Sequence, residues 1–141
     1  MPKVLIMIGS KSDAEYAEIC AQKLGDYGIE HSLEISSAHR QPDRTDELAR
    51  SAEGNGFEVI ICMAGMAAAL PGVVAARSRL PVIGVPLPAT LQGIDALLAI
   101  AQMPSGIPVA TMGIGKAGAK NAAALAARIL AVKYPDIAAG L

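Results

Sequence analysis

Tryptophan is absent from this chain of 141 residues, and the aromatic side chains stop at Tyr16, Tyr27, Phe57 and Tyr134. A surface that stacks nucleic-acid bases needs more rings than this. Charge is scarce as well, at 18% Asp, Glu, Lys and Arg against roughly 25% in an average soluble domain. The formal net charge of −1 leaves no basic field to draw nucleic acid or an anionic membrane. Only two cysteines occur, Cys20 and Cys62. Both lie in apolar runs with no second Cys or His at metal-ligand spacing, so they read as buried reduced thiols of a cytoplasmic protein, and no metal site is expected. No leader is visible, because Met1-Pro2-Lys3 opens only a short apolar run that ends at Lys11 and Asp13. Unbroken apolar runs are also missing. Positions 59–76, 80–94 and 96–115 carry no charge, but Gly65, Pro71, Pro81, Pro86, Pro104 and Pro108 interrupt them, and a membrane helix needs about 20 continuous apolar residues. Strands buried on both faces account for such runs better than membrane spans.

What the chain has is aliphatic bulk, with 52% hydrophobic residues and a repeating alternation of two kinds of segment. Val4 to Ile8 is an apolar run that ends in Gly9-Ser10-Lys11-Ser12-Asp13, after which Ala17, Cys20, Ala21 and Leu24 fall at helical spacing. The rhythm continues with a strand over 29–35, a polar helix from Pro42 to about Glu53, a strand over 59–63 and a short helix over 73–79. It closes with a strand over 81–85, a helix over about 93–102, a strand over 109–112 and an Ala/Leu-rich helix over 120–132. Five β-α units with nearly all-apolar strands predict one domain, 1–141. The expected fold is α/β: a three-layer αβα sandwich, flavodoxin-like, with a five-stranded parallel sheet and right-handed crossovers. Ligands of such sheets bind at the carboxyl ends of the strands, around the point where strand order reverses. The loops after strands one, two and three therefore carry the candidate site.

The first loop, Gly9 to Asp13, offers hydroxyls, free backbone N–H groups and a helix N-terminus, which suit a phosphate; its Ser and Asp serve equally well as plain helix caps. The second brings together Ser37, His39 and Arg40: a hydroxyl, an imidazole that titrates near neutrality and a permanent cation. His31, between Glu30 and Ser32 near a strand start, reads as a solvated histidine. The third loop, Ala64 to Gly72, has no ionisable group; its small residues let a backbone approach a flat ligand and leave a dry cavity. A phospho-acceptor domain on this fold wants an acid at that edge, and Ile61-Cys62-Met63-Ala64 supplies none. Gly113-Ile114-Gly115-Lys116-Ala117-Gly118 matches G-x-G-x-x-G, but the dinucleotide fingerprint also needs an acid ending a strand about 20 residues on. Only Asp136 is near that distance, so the segment reads as a structural turn or a loop beside a neighbouring subunit's site.

Taken in order, Gly9-Ser10-Lys11-Ser12-Asp13, Ser37-Ala38-His39-Arg40 with Pro42-Asp43, Ala68-Ala69-Leu70-Pro71-Gly72 and Gln102-Met103-Pro104-Ser105-Gly106-Ile107-Pro108-Val109 resemble the PurE family over nearly the whole length. Bacterial members of that family are N5-carboxyaminoimidazole ribonucleotide mutases of purine biosynthesis. The resemblance implies a rearrangement without cofactor, metal or ATP that moves a carboxylate from the exocyclic nitrogen to C4 of an aminoimidazole ribonucleotide. It assigns phosphate and ribose to Ser10, Ser12, Asp13, Ser37 and Arg40 and the proton transfers to His39. Ala38, Gly65, Met66, Ala67, Ala69 and Leu70 complete the substrate site. It also implies a homo-octamer with sites at subunit junctions. The uncharged stretch 96–115 and the C-terminal Ala-rich helix are the surfaces expected to meet neighbours, unless that helix covers its own sheet. One loop departs from the family pattern: Met66 stands where the family usually has Gly, and Ala69 where it has His. The alternatives are a related carboxylase acting on aminoimidazole ribonucleotide and CO2 directly, and a catalytically silent nucleotide-binding subunit.

Overall fold

Apolar residues at consecutive positions of a strand point to opposite faces, so a strand made of them has to be covered on both sides. The computed structural model, which describes residues 2–141, shows this arrangement. Strands β1 (Lys3–Ile8), β2 (Glu30–Ile35), β3 (Phe57–Gly65), β4 (Val82–Leu87) and β5 (Ala110–Thr111) form one sheet in the order β2-β1-β3-β4-β5. Every neighbouring pair is parallel. Val4, Ile6, Ile8, Val59, Ile61, Met63, Ile83 and Val85 face one layer, where they pack on helix α1 (Ala14–Asp26) through Ala17, Cys20 and Leu24. Helix α5 (Lys116–Ala131) joins that layer through Ala119, Ala122, Ala123, Ala126 and Ala127, and α6 (Pro135–Ala139) through Ile137. The alternate residues Leu5, Met7, Ile60, Cys62 and Val82 face the other layer, built by α2 (Pro42–Ser51), α3 (Leu70–Arg77) and α4 (Ile94–Ala101). The expected flavodoxin-like αβα sandwich is therefore the observed one.

Element boundaries differ from expectation where local chemistry prevails over periodicity. Helix α3 starts at Leu70, three positions before the expected Val73, because Pro71 lies in its first turn, where a missing N–H breaks no helical bond. Helix α5 starts at Lys116 instead of Lys120, continuing straight out of the glycine turn. Strand β3 runs on through Ala64 to Gly65, and β5 is only two residues long. The short α6 and a 3-10 turn over Lys11–Asp13 were not expected from the pattern. The inner face of α5 lies on its own sheet, which is the alternative reading of that helix. By contrast, Ala101, Gln102, Pro104, Ser105, Gly106, Pro108 and Ala110 of the uncharged stretch are exposed. Among the described residues no helix is long and apolar enough to cross a membrane.

Candidate functional site

Strand order reverses between β1 and β3, and a cleft of about 840 Å³ opens at their carboxyl ends. Ser10, Ser12, Asp13, Ser37, Ala38, His39, Arg40, Gly65, Met66, Ala67, Ala69 and Leu70 all line it. The three loops singled out in the sequence thus converge on one hollow.

In the first loop Ser10 is extended and caps the 3-10 turn, its Oγ accepting from Ser12 N at 3.3 Å and meeting Ser12 Oγ at 3.0 Å. Asp13 stands at the N-cap of α1 but its carboxylate makes no capping hydrogen bond. Burial without a compensating donor pushes its carboxyl pKa above the usual aspartate range. Ser10 is thus occupied locally, whereas the Asp13 carboxylate is free for a ligand.

The second loop is held from beneath. Ser36 Oγ and Thr45 Oγ1 meet at 2.7 Å, both fully buried, and the Thr45 hydroxyl also lies 3.3 Å from the Ser37 carbonyl. Gln41 N donates to the same carbonyl at 2.8 Å, and Arg40 N donates to Ser37 Oγ at 3.1 Å. These bonds fix the backbone of the turn and leave its tip free. The side chains of His39 and Arg40 are exposed and make no hydrogen bond or ion pair with another described residue. His31, by contrast, lies on β2 with its Nδ1 3.1 Å from Ile29 O, away from the cleft.

The third loop contributes shape. Met66 and Ala68 have positive φ, +52° and +21°, and Ala68 N donates to Gly65 O at 3.0 Å, closing a tight bend before α3. No ionisable side chain comes from this wall.

Sequence reasoning missed a fourth wall, Leu87, Pro88 and Ala89, which follows β4. The signal was the Pro86-Leu87-Pro88 end of an apolar strand whose neighbour is β3, but strand order was needed to use it. Glu15 and Tyr16 from the first turn of α1 also border the cleft. Lys116 reaches Glu15 at 3.1 Å, so the glycine turn approaches the rim. That turn has a packing reason of its own: a Cβ on Gly118 would stand 1.8 Å from the Gly113 carbonyl oxygen. A second hollow, of about 670 Å³, lies beside the amino end of β4 and includes Arg77 and Arg79. Those two are already paired with Asp46 and Glu53.

The family model described as AIR carboxylase matches residues 3–141. The N5-carboxyaminoimidazole ribonucleotide mutase of Pyrococcus abyssi is 54% identical over 138 residues, which is 97% of this chain and 78% of that protein. The protein of the same name from Escherichia coli K12 is 52% identical over 136 residues, 96% of this chain and 80% of that one. Among solved structures, the crystal structure of Treponema denticola PurE superposes with a TM-score of 0.90 at 34% identity, covering 99% of this chain and 87% of that chain. A family model that matches residues 3–141 and relatives more than half identical over nearly the whole chain show that the chain belongs to the AIR carboxylase family.

Proposed function

We propose that the chain is an N5-carboxyaminoimidazole ribonucleotide mutase of purine biosynthesis, and that the cleft at the β1/β3 switch point is its active site. The observation that carries the reading is the convergence of Ser10, Ser12, Asp13, Ser37, His39 and Arg40 on one cleft in a chain whose relatives bear that name. Arg40, an exposed cation without a carboxylate partner among the described residues, and the hydroxyls near the α1 N-terminus receive the phosphate. Asp13 accepts from the ribose hydroxyls. The reaction is an isomerisation. The C–N bond of the carbamate breaks to give CO2 and an amine, C4 attacks the CO2, and the proton C4 loses equals the proton the nitrogen gains. One imidazole can carry that proton in both directions, and His39 is the only one in the cleft. Ala69 in place of a second imidazole therefore removes no atom that the proton balance requires. The uncharged third wall shelters CO2 and the electron-rich ring carbon from water.

The same proposal includes a cytoplasmic location, supported by the two free buried thiols, and assembly into a homo-oligomer, an octamer by family resemblance. Ala69 is also the one observation favouring direct carboxylation as a second reading. Steady-state assays with each substrate at controlled bicarbonate separate the two: turnover only of aminoimidazole ribonucleotide plus CO2 would replace the mutase assignment with the carboxylase. His39→Asn should lower kcat by roughly 100-fold or more with the fold intact, and Arg40→Ala should act mainly on KM. Binding without turnover in the wild-type chain would instead identify a silent subunit.

A further inference from the structure

Met66 is the one large side chain in the run Ala64-Gly65-Met66-Ala67-Ala68-Ala69. It is 62% exposed, so folding gains little from covering it. Its φ of +52° is a left-handed conformation that glycine adopts freely and a residue with a Cβ adopts at an energetic cost. The thioether is a weak acceptor and caps nothing. Neither burial, backbone preference nor hydrogen bonding therefore accounts for a methionine here. What the position does provide is a long, polarisable side chain at the edge of the cleft. Tyr16 is the only aromatic residue that lines the hollow, and apart from Leu70, whose side chain is buried, the rest of the third wall is methyl groups and backbone. A flat, electron-rich heterocycle entering it has no other exposed flexible apolar group to lie against from that wall.

We infer that Met66 covers the heterocycle of the bound nucleotide, a contact that screens the ring from water and sets the site's preference for a base-bearing nucleotide over a bare sugar phosphate. The inference rests on the proposed function for the identity of the ring. Sulfur and aliphatic contact with an aromatic face has a modest, measurable value, and the strained backbone is the structural cost of placing it there.

Calorimetric titration of wild type, Met66→Gly and Met66→Leu with 5-aminoimidazole ribonucleotide and, separately, with ribose 5-phosphate tests this. Met66→Gly should weaken binding of the aminoimidazole nucleotide by about 3- to 10-fold while leaving ribose 5-phosphate affinity within error, and Met66→Leu should restore most of the loss. Thermal unfolding of the glycine variant at or above the wild-type midpoint would confirm that the fold is intact. Equal affinities of wild type and Met66→Gly for the nucleotide would overturn the inference, as would an equal loss for both ligands, which marks general loop disruption. A wild-type chain that binds neither ligand is a distinct result, defeating the assignment of the cleft and the inference with it.

Discussion

Asp13 ends the first loop half-buried, at a helix N-cap, with no hydrogen bond from its carboxylate to the cap it occupies. Burial raises its pKa in the folded chain above the unfolded value. Between those two values the folded state holds a proton that the unfolded state has released, so stability falls as pH rises through that window, and the full penalty remains above it. An asparagine at the same position fits the cap without the charge. Asp13→Asn should therefore be more stable than wild type near neutral pH, with the difference shrinking as pH falls toward the range where Asp13 protonates, while affinity for the nucleotide drops. Thermal melts at several pH values decide it; a wild-type chain that is the more stable of the two at pH 7 would show that the carboxylate contributes to folding, not to binding. At this scale the sequence was informative where a residue's chemistry is unusual for its surroundings. His39 and Arg40 stand out as an imidazole and a cation at a predicted strand end, and the structure puts both at the cleft. Met66 could be noted as a departure, but its left-handed backbone could not, since nothing in neighbouring residue types demands a positive φ there.

The loop that carries His39 depends on an element that never touches the cleft. Thr45, in the first turn of α2, bonds Ser36 at 2.7 Å and reaches the Ser37 carbonyl at 3.3 Å from a fully buried position. Thr45→Val keeps the shape and removes the hydroxyl, leaving Ser36 Oγ buried without its partner, at a cost of about 1–3 kcal/mol. The expected result is a lower unfolding midpoint together with a raised KM, because the Ser37–Arg40 turn loses its anchor; an unchanged KM would show that Gln41 N and Ser37 Oγ hold the turn alone. Such a pair is hard to read from sequence. It joins a strand end to a helix nine positions away, and only the sheet and α2 packing bring the two hydroxyls together. Strands and helices themselves were legible because strands buried on both faces read as short continuous apolar runs, whereas helices repeat their apolar residues with a period of about 3.6. Where an element is as short as α6 the pattern had nothing to work on, whereas the strand expected over 109–112 is present as the two-residue β5.

For the whole molecule, the shortage of charge noted first in the composition leaves a definite mark on the surface. Leu91, Ile94 and Leu98 are 61%, 53% and 53% exposed. Ile94 and Leu98, four residues apart on α4, form an apolar stripe, and Leu91 lies in the turn just before that helix. The uncharged segment 101–110, in which Ala101, Gln102, Pro104, Ser105, Gly106, Pro108 and Ala110 are exposed, follows directly in the chain, and three large exposed apolar side chains within eight residues are more than scattered single residues. Helix α4 already buries Ala96 and Ile100 against the sheet, which means the stripe is a second, outward face with no partner among the described residues. Association of copies through that face is the arrangement that would cover it, and obligate interfaces are the apolar kind. Leu98→Glu places a charge in the stripe without disturbing the inner face. Sedimentation velocity at micromolar protein should give an assembly for the wild-type chain and dissociated or smaller species for Leu98→Glu, with far-ultraviolet circular dichroism unchanged. A wild-type monomer with full mutase activity would refute the assembly and, with it, the account of why so small a domain has so little charge.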